Sequence, residues 1–164
     1  MEDALDKPVK SLIKNLPQTG KLVWVGVRPE RKAPLKRLNE VRITEDEGLV
    51  GDHFSATNKK RQVTLIQQEH LDGVARMLGK SSIDPVQTRR NLVVQGINLL
   101  ALRNERFRIG DVVLEGTGYC HPCSRMEENL GDGGYNAMRG HGGITAKVIS
   151  GGIITLGDEV KKAE

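Results

Sequence analysis

Cysteine and aromatic side chains are the scarcest features of this 164-residue chain, which has two cysteines, two tyrosines, two phenylalanines and one tryptophan. Two cysteines cannot make a disulfide framework, so a reducing compartment is expected and the protein is placed in the cytoplasm. Trp24, Phe54, Phe107, Tyr119 and Tyr135 are scattered, with no pair spaced as a base-stacking platform. The net charge of +4 and pI near 9.2 suit an anionic ligand but fall short of a nucleic-acid surface. No apolar run reaches membrane-spanning length, and no charged-then-apolar leader is visible. Neither nucleic acid nor membrane is therefore expected as a partner.

Glycine is plentiful at 19 residues, scattered among short apolar runs. This size supports one domain with its own core. Residues 1–21, with Pro8 and Pro17, read as an N-terminal arm, and 22–164 as the domain. Leu22–Val27 is a β-branched apolar run, so a buried strand; Val41/Ile43, Gln62–Ile66, Phe107/Ile109, Val112–Leu114 and Ile144–Ile149 add further strands. Leu71, Val74, Ala75 and Leu78 sit at helical spacing, with Gly79 as a stop. Two Gly-Asp-x-Val corners, at 110–113 and 157–160, read as strand-entry turns of one barrel. The sum is a mainly β protein, a β-barrel of seven or eight short strands with one or two helices and glycine-rich loops.

The two cysteines fall together in Glu115–Glu127, where Cys120 and Cys123 flank His121-Pro122 and Arg125 follows. A thiol beside a guanidinium and a helix start is placed where thiolate is favoured, which makes Cys123, and after it Cys120, the candidate catalytic residues. Four other stretches carry candidate ligand groups. Arg28–Arg37 holds five basic residues and two prolines, and reads as an anion-attracting rim or, with more weight, a solvated charge cluster. Asp52-His53 follows a tight glycine corner: Asp52 orients His53, or His53 donates to a ligand, or Asp52 only caps the turn. Arg89, Arg90 and Asn91 precede a strand, one arginine positioned for an anion and the other for a carboxylate. In 129–143, six glycines surround Arg139 and His141, a composition suited to a backbone nest for phosphate or to a flexible lid.

Three of these pieces, in order, resemble the MOSC domain family, named for the C-terminal domain of molybdenum cofactor sulfurase. They are Gly48-Leu-Val-Gly-Asp-His53, Arg90-Asn-Leu-Val-Val94, and Thr117–Arg125 together with Gly151–Val160. The resemblance implies a MOSC-type β-barrel and a cysteine matching Cys123 that either carries sulfur as a persulfide or ligates molybdenum. It implies the molybdenum cofactor, molybdopterin, as ligand, with Asp52, His53, Arg89, Arg90, Asn91, Arg125, Arg139 and His141 as candidate contacts. The expected chemistry is sulfur transfer to a metal–sulfur cofactor or molybdenum-dependent reduction of N-hydroxylated compounds. A cysteine desulfurase or an electron donor is the expected protein partner. Pyridoxal phosphate, a family association, is not expected to bind, since the chain has no room for a desulfurase domain. The competing readings are a zinc site from Cys120, Cys123, His121 and His141, a thiol redox module, for which no βαβ unit is visible, and a non-catalytic adaptor barrel.

Overall fold

The computed structural model describes residues 8–53 and 59–164; the first seven positions of the expected arm and Phe54 lie outside the described residues. Strands β1 (Gly20–Val27), β5 (Val63–Gln67), β6 (Leu92–Gln95), β7 (Arg106–Ile109), β8 (Val112–Tyr119), β9 (Ile144–Ser150) and β11 (Glu159–Lys162) form one sheet in the order β11-β7-β8-β9-β5-β6-β1. Pairing of Gly20 with Val160 and Lys21 with Glu159 joins its two ends and closes a seven-stranded barrel. A short β2 (Lys36–Leu38) hangs on β1, and β10 (Gly152–Thr155), β3 (Glu40–Thr44) and β4 (Gly48–Leu49) form a separate three-stranded sheet. Both Gly-Asp corners do enter barrel strands, leading into β8 and β11.

The long apolar runs have a simple cause. Leu22, Val25, Leu65, Leu92 and Val94 point into the barrel with Phe107, Leu114 and Ile144. Trp24, Ile66 and Val93, on the same three strands, face outward into a second buried cluster. That outer cluster is covered by α2 (Gln68–Met77) through Leu71, Val74 and Ala75, and by Met126, Leu130, Ala137 and Met138. A strand buried on both faces has no polar side to alternate with, so it reads as a continuous hydrophobic stretch.

Around the expected long helix α2 the structure adds three short ones: α1 (Val9–Lys14), α3 (Ser124–Leu130) and α4 (Gly134–Met138). The last lies inside the glycine-rich stretch, where tertiary packing of Ala137 and Met138 outweighs weak local propensity. One topological expectation needs correcting. β5 and β6 are parallel neighbours joined through α2, so a βαβ unit exists. Parallel strands require such a crossover. The cysteines do not belong to it, since they follow β8 in the chain. Among the described residues no helix is long and apolar enough to cross a membrane.

Candidate functional site

The cysteine loop runs from the end of β8 to the start of α3, and it is held by main-chain contacts. Cys120 is 3% exposed and its N–H donates to the Gly143 carbonyl at 2.9 Å. Cys123 is exposed and stands immediately before α3. Arg90, buried beneath the loop, gives every guanidinium nitrogen to backbone oxygens. Its Nε donates to Gly142 at 2.8 Å, Nη1 to Thr88 at 3.0 Å, and Nη2 to Cys120 and His121 at 3.1 and 3.3 Å. The expected carboxylate partner is replaced by carbonyls, so Arg90 is a clamp on the main chain at Cys120, His121 and Gly142. Glu127 ties α3 to α4 by accepting from the N–H groups of Gly133 and Tyr135 at 2.9 and 3.0 Å. Those bonds, that from Tyr135 first, hold its carboxyl below the ordinary glutamate value.

Beside the loop lies a cavity of about 320 Å³ lined by Arg28, Arg31, Lys32, Arg61, Arg89, Arg90 and Arg125, with Thr64, Cys120, Cys123 and Met126. No acidic side chain is among these lining residues. Arg89 reaches the cavity because its backbone turns left-handed (φ 62°) between a 3-10 turn and β6, which redirects its side chain relative to Arg90. Burial, then the neighbouring charges of Arg28 and Arg125, pull the Arg89 pKa down, while Cys123 opposes them. Crowded like charges of this kind are relieved by an anion. Arg28 supports the same inference. Its Nη2 donates to the His53 carbonyl at 3.3 Å, yet its buried Nε has no partner among the described residues.

Asp52 accepts the Arg28 N–H at 2.7 Å, and the His53 N–H donates to the Arg28 carbonyl at 2.6 Å. The Asp52 carboxyl is thus spent on the Arg28 main chain, 24 residues away in sequence, and not on a cap of its own turn. Burial raises the Asp52 carboxyl above its usual value against the opposing hydrogen bond from Arg28. The His53 ring is exposed and is not among the cavity's lining groups.

Asn91 is also internal: its Oδ1 accepts from the Thr64 N–H and hydroxyl at 3.1 Å each, and its Nδ2 donates to Gly26 at 3.2 Å. Arg139 is exposed, near Asn136 at 3.4 Å, and His141 packs edge-on against His70 with ring centroids 4.9 Å apart. Neither lines the cationic cavity. Among the described residues no group of three or more His, Cys, Asp and Glu is placed to hold a metal ion, which leaves the zinc reading without its ligand set.

Three of the six glycines of 129–143, Gly134, Gly142 and Gly143, serve close packing. A Cβ on Gly142 would lie 2.0 Å from the Cys120 carbonyl, and one on Gly143 would lie 1.8 Å from that of Leu65. Of the groups that do line the cavity, Arg61 had gone unnoticed in the sequence. Its only signal there is the basic run Lys59-Lys60-Arg61 just before β5.

The closed barrel thus carries seven cationic side chains and a solvent-reaching thiol along one cavity. The MOSC domain profile matches residues 32–161, and the chain belongs to the MOSC domain family. No functionally curated protein matches the sequence significantly. In solved structures the fold is similar to the YuaD protein from Bacillus subtilis, at 19% identity and a TM-score of 0.75 over 89% of this chain and 97% of that one. It is also similar to YiiM from Geobacillus stearothermophilus (14% identity, TM-score 0.72, 88% of this chain and 75% of that one). YiiM from Escherichia coli matches at 18% identity and a TM-score of 0.67, over 88% and 70% of the two chains.

Proposed function

We propose that the cationic cavity binds the phosphate-bearing molybdenum–pterin cofactor and that Cys123 is the reactive thiol beside it. The single observation that carries this reading is one small cavity bringing seven cationic side chains, no acid and both cysteines together. The residues fit such a group. Arg28, Arg89 and Arg125 offer guanidinium forks suited to a phosphate, and the buried Arg28 Nε has no acceptor among the described residues. Cys123 Sγ offers the soft donor that molybdenum accepts. When bound, that group supplies oxygen-atom transfer and two-electron redox chemistry. The protein neutralises the phosphate, and the buried Arg90 clamp fixes the loop that presents the thiol.

The same thiol serves the second route, sulfur transfer. There a Cys123 thiolate attacks the outer sulfur of a donor persulfide, the donor thiolate leaves, and Cys123 holds a persulfide. A cysteine desulfurase is the donor in this route, and an electron donor is the partner in the reductive one. Either route belongs in the cytosol, where thiols stay reduced.

The test is elemental analysis with intact mass spectrometry on protein purified without reductant from molybdenum-replete cells, comparing wild type with Cys123→Ser. Near-stoichiometric molybdenum that is lost in the variant supports the cofactor-bound enzyme. A reducible gain of one sulfur on Cys123 without molybdenum supports the carrier. Neither signal sinks the proposal and leaves the barrel as an adaptor.

A further inference from the structure

On the other side of the cysteine loop lies a second cavity, also of about 320 Å³. Its walls are Leu100, Tyr119, His121 and Pro122 with the backbone of Gly140, Gly142 and Gly143, and it has no Asp, Glu, Lys or Arg among its lining groups. Cys120 is the one residue that lines both cavities. Two spaces of similar size and different character thus share Cys120 as part of their walls.

We propose that this second cavity binds an uncharged planar ring. As a consequence resting on the function proposed above, it takes the organic part of the molecule whose reactive group meets the cofactor or Cys123. Its volume is at the lower end of small-molecule sites, enough for a one- or two-ring compound. Its lining is uncharged but not greasy, since Tyr119 and His121 stand with centroids 6.1 Å apart and planes tilted by 58°. The glycine stretch contributes bare peptide planes, with no side chain to stand between them and a ring.

The walls are also held in place. Arg103 packs its guanidinium 4.4 Å from the centre of the Tyr119 ring and approaches the hydroxyl at 3.4 Å. The register shift between Gly116 and Gly118 inserts an extra residue in β8 just before Tyr119, a device that re-aims side chains beside sites. Gly142 is pinned against the Cys120 carbonyl and Arg90, whereas a Cβ on Gly140 would meet nothing within 4 Å, so that corner stays open. The charge contrast sorts ligands: an anion is drawn to the cationic side, and a neutral ring loses nothing by lying on this one.

The test uses the full-length, ¹⁵N-labelled protein without molybdenum, with indole as the probe and cyclohexylmethanol as a neutral, saturated control. Indole is expected to shift the amides of 119–121 and 140–143 saturably, with the control weaker by about threefold to tenfold. Inorganic pyrophosphate, a probe for the cationic cavity, should leave those shifts in place. Tyr119→Ala, or the exposed His121→Ala if the first variant misfolds, should weaken indole by a similar factor while the rest of the spectrum is retained. Shifts elsewhere only, equal binding of the saturated control, or displacement of indole by pyrophosphate would each overturn the proposal. Because no metal or persulfide is needed, this outcome is independent of whether the molybdenum and sulfur measurements succeed.

Discussion

Arg90→Met keeps the aliphatic stem and removes only the guanidinium, so it isolates the clamp. Four carbonyls, of Thr88, Cys120, His121 and Gly142, lose their donor at once. Hydrogen bonds from a charged group are worth about 1.5–3 kcal/mol each. The variant, however, no longer bears the several kcal/mol that desolvating a guanidinium costs. Three donating nitrogens set against that offset leave a net loss of about 3–5 kcal/mol, the range seen when one partner of a buried charged contact is removed. With a urea m-value of about 2 kcal/mol/M, the midpoint should fall by roughly 1.5–2.5 M. Thiol-reagent titration of the native protein supplies the local readout. Wild type should present one fast thiol, the exposed Cys123, and one protected thiol, Cys120. In the variant Cys120 should react at least about tenfold faster, in proportion to local opening. A variant within about 0.5 kcal/mol of wild type, with Cys120 still protected, would refute the clamp.

Two glycines with similar backbone angles should respond very differently to alanine. Gly143→Ala sets a Cβ 1.8 Å from the Leu65 carbonyl at φ +87° and should cost more than about 4 kcal/mol or prevent folding. Gly140→Ala, at φ +81° with nothing within 4 Å, should cost only the left-handed penalty of roughly 1–2 kcal/mol in the same urea titration. The histidine pair predicts a pH dependence. Burial first, then the neighbouring His141, hold the His70 pKa below 6.5 against the pull of Glu69. Below pH 6.5 the unfolded chain therefore binds more protons than the folded one, so stability is full above that pH and falls as the pH drops towards the lowered folded value. His70→Phe should flatten the melting-temperature profile between pH 7 and 5.5, and an unchanged slope would show that this ring does not titrate on unfolding.

The barrel was legible because its evidence is local. Alternation in Phe107 and Ile109, the unbroken run of Leu22–Val27 and the Gly-Asp corners each reflect the pleat of the strand they occupy or the turn into it. The βαβ crossover escaped notice because parallel pairing of β5 with β6 leaves no mark within either strand. The site was legible only in part. Cys123, Arg89 and Arg125 were expected at the ligand and do line the cavity. Arg90 and Asn91 have equally suitable chemistry, yet their donors and acceptors are consumed by carbonyls and by Thr64 of other strands. Which buried polar group is spent on the fold and which is left for a ligand depends on partners up to 65 residues away, as for Asn91 and Gly26. The basic residues of 28–37 read in sequence more as a solvated cluster than as a rim, yet three of them line the cavity.

The loop at 120–123 is secured almost wholly through atoms that every amino acid shares. Its N–H is held by the Gly143 carbonyl and its carbonyls by one arginine from the segment leading into β6. The shape of the loop is therefore encoded at 90, 142 and 143, together with Pro122, whose ring fixes its own backbone angle and restricts His121. A substitution at 121 can alter what the loop displays while leaving its main-chain contacts in place. A designer wishing to redirect the site has that freedom at 121.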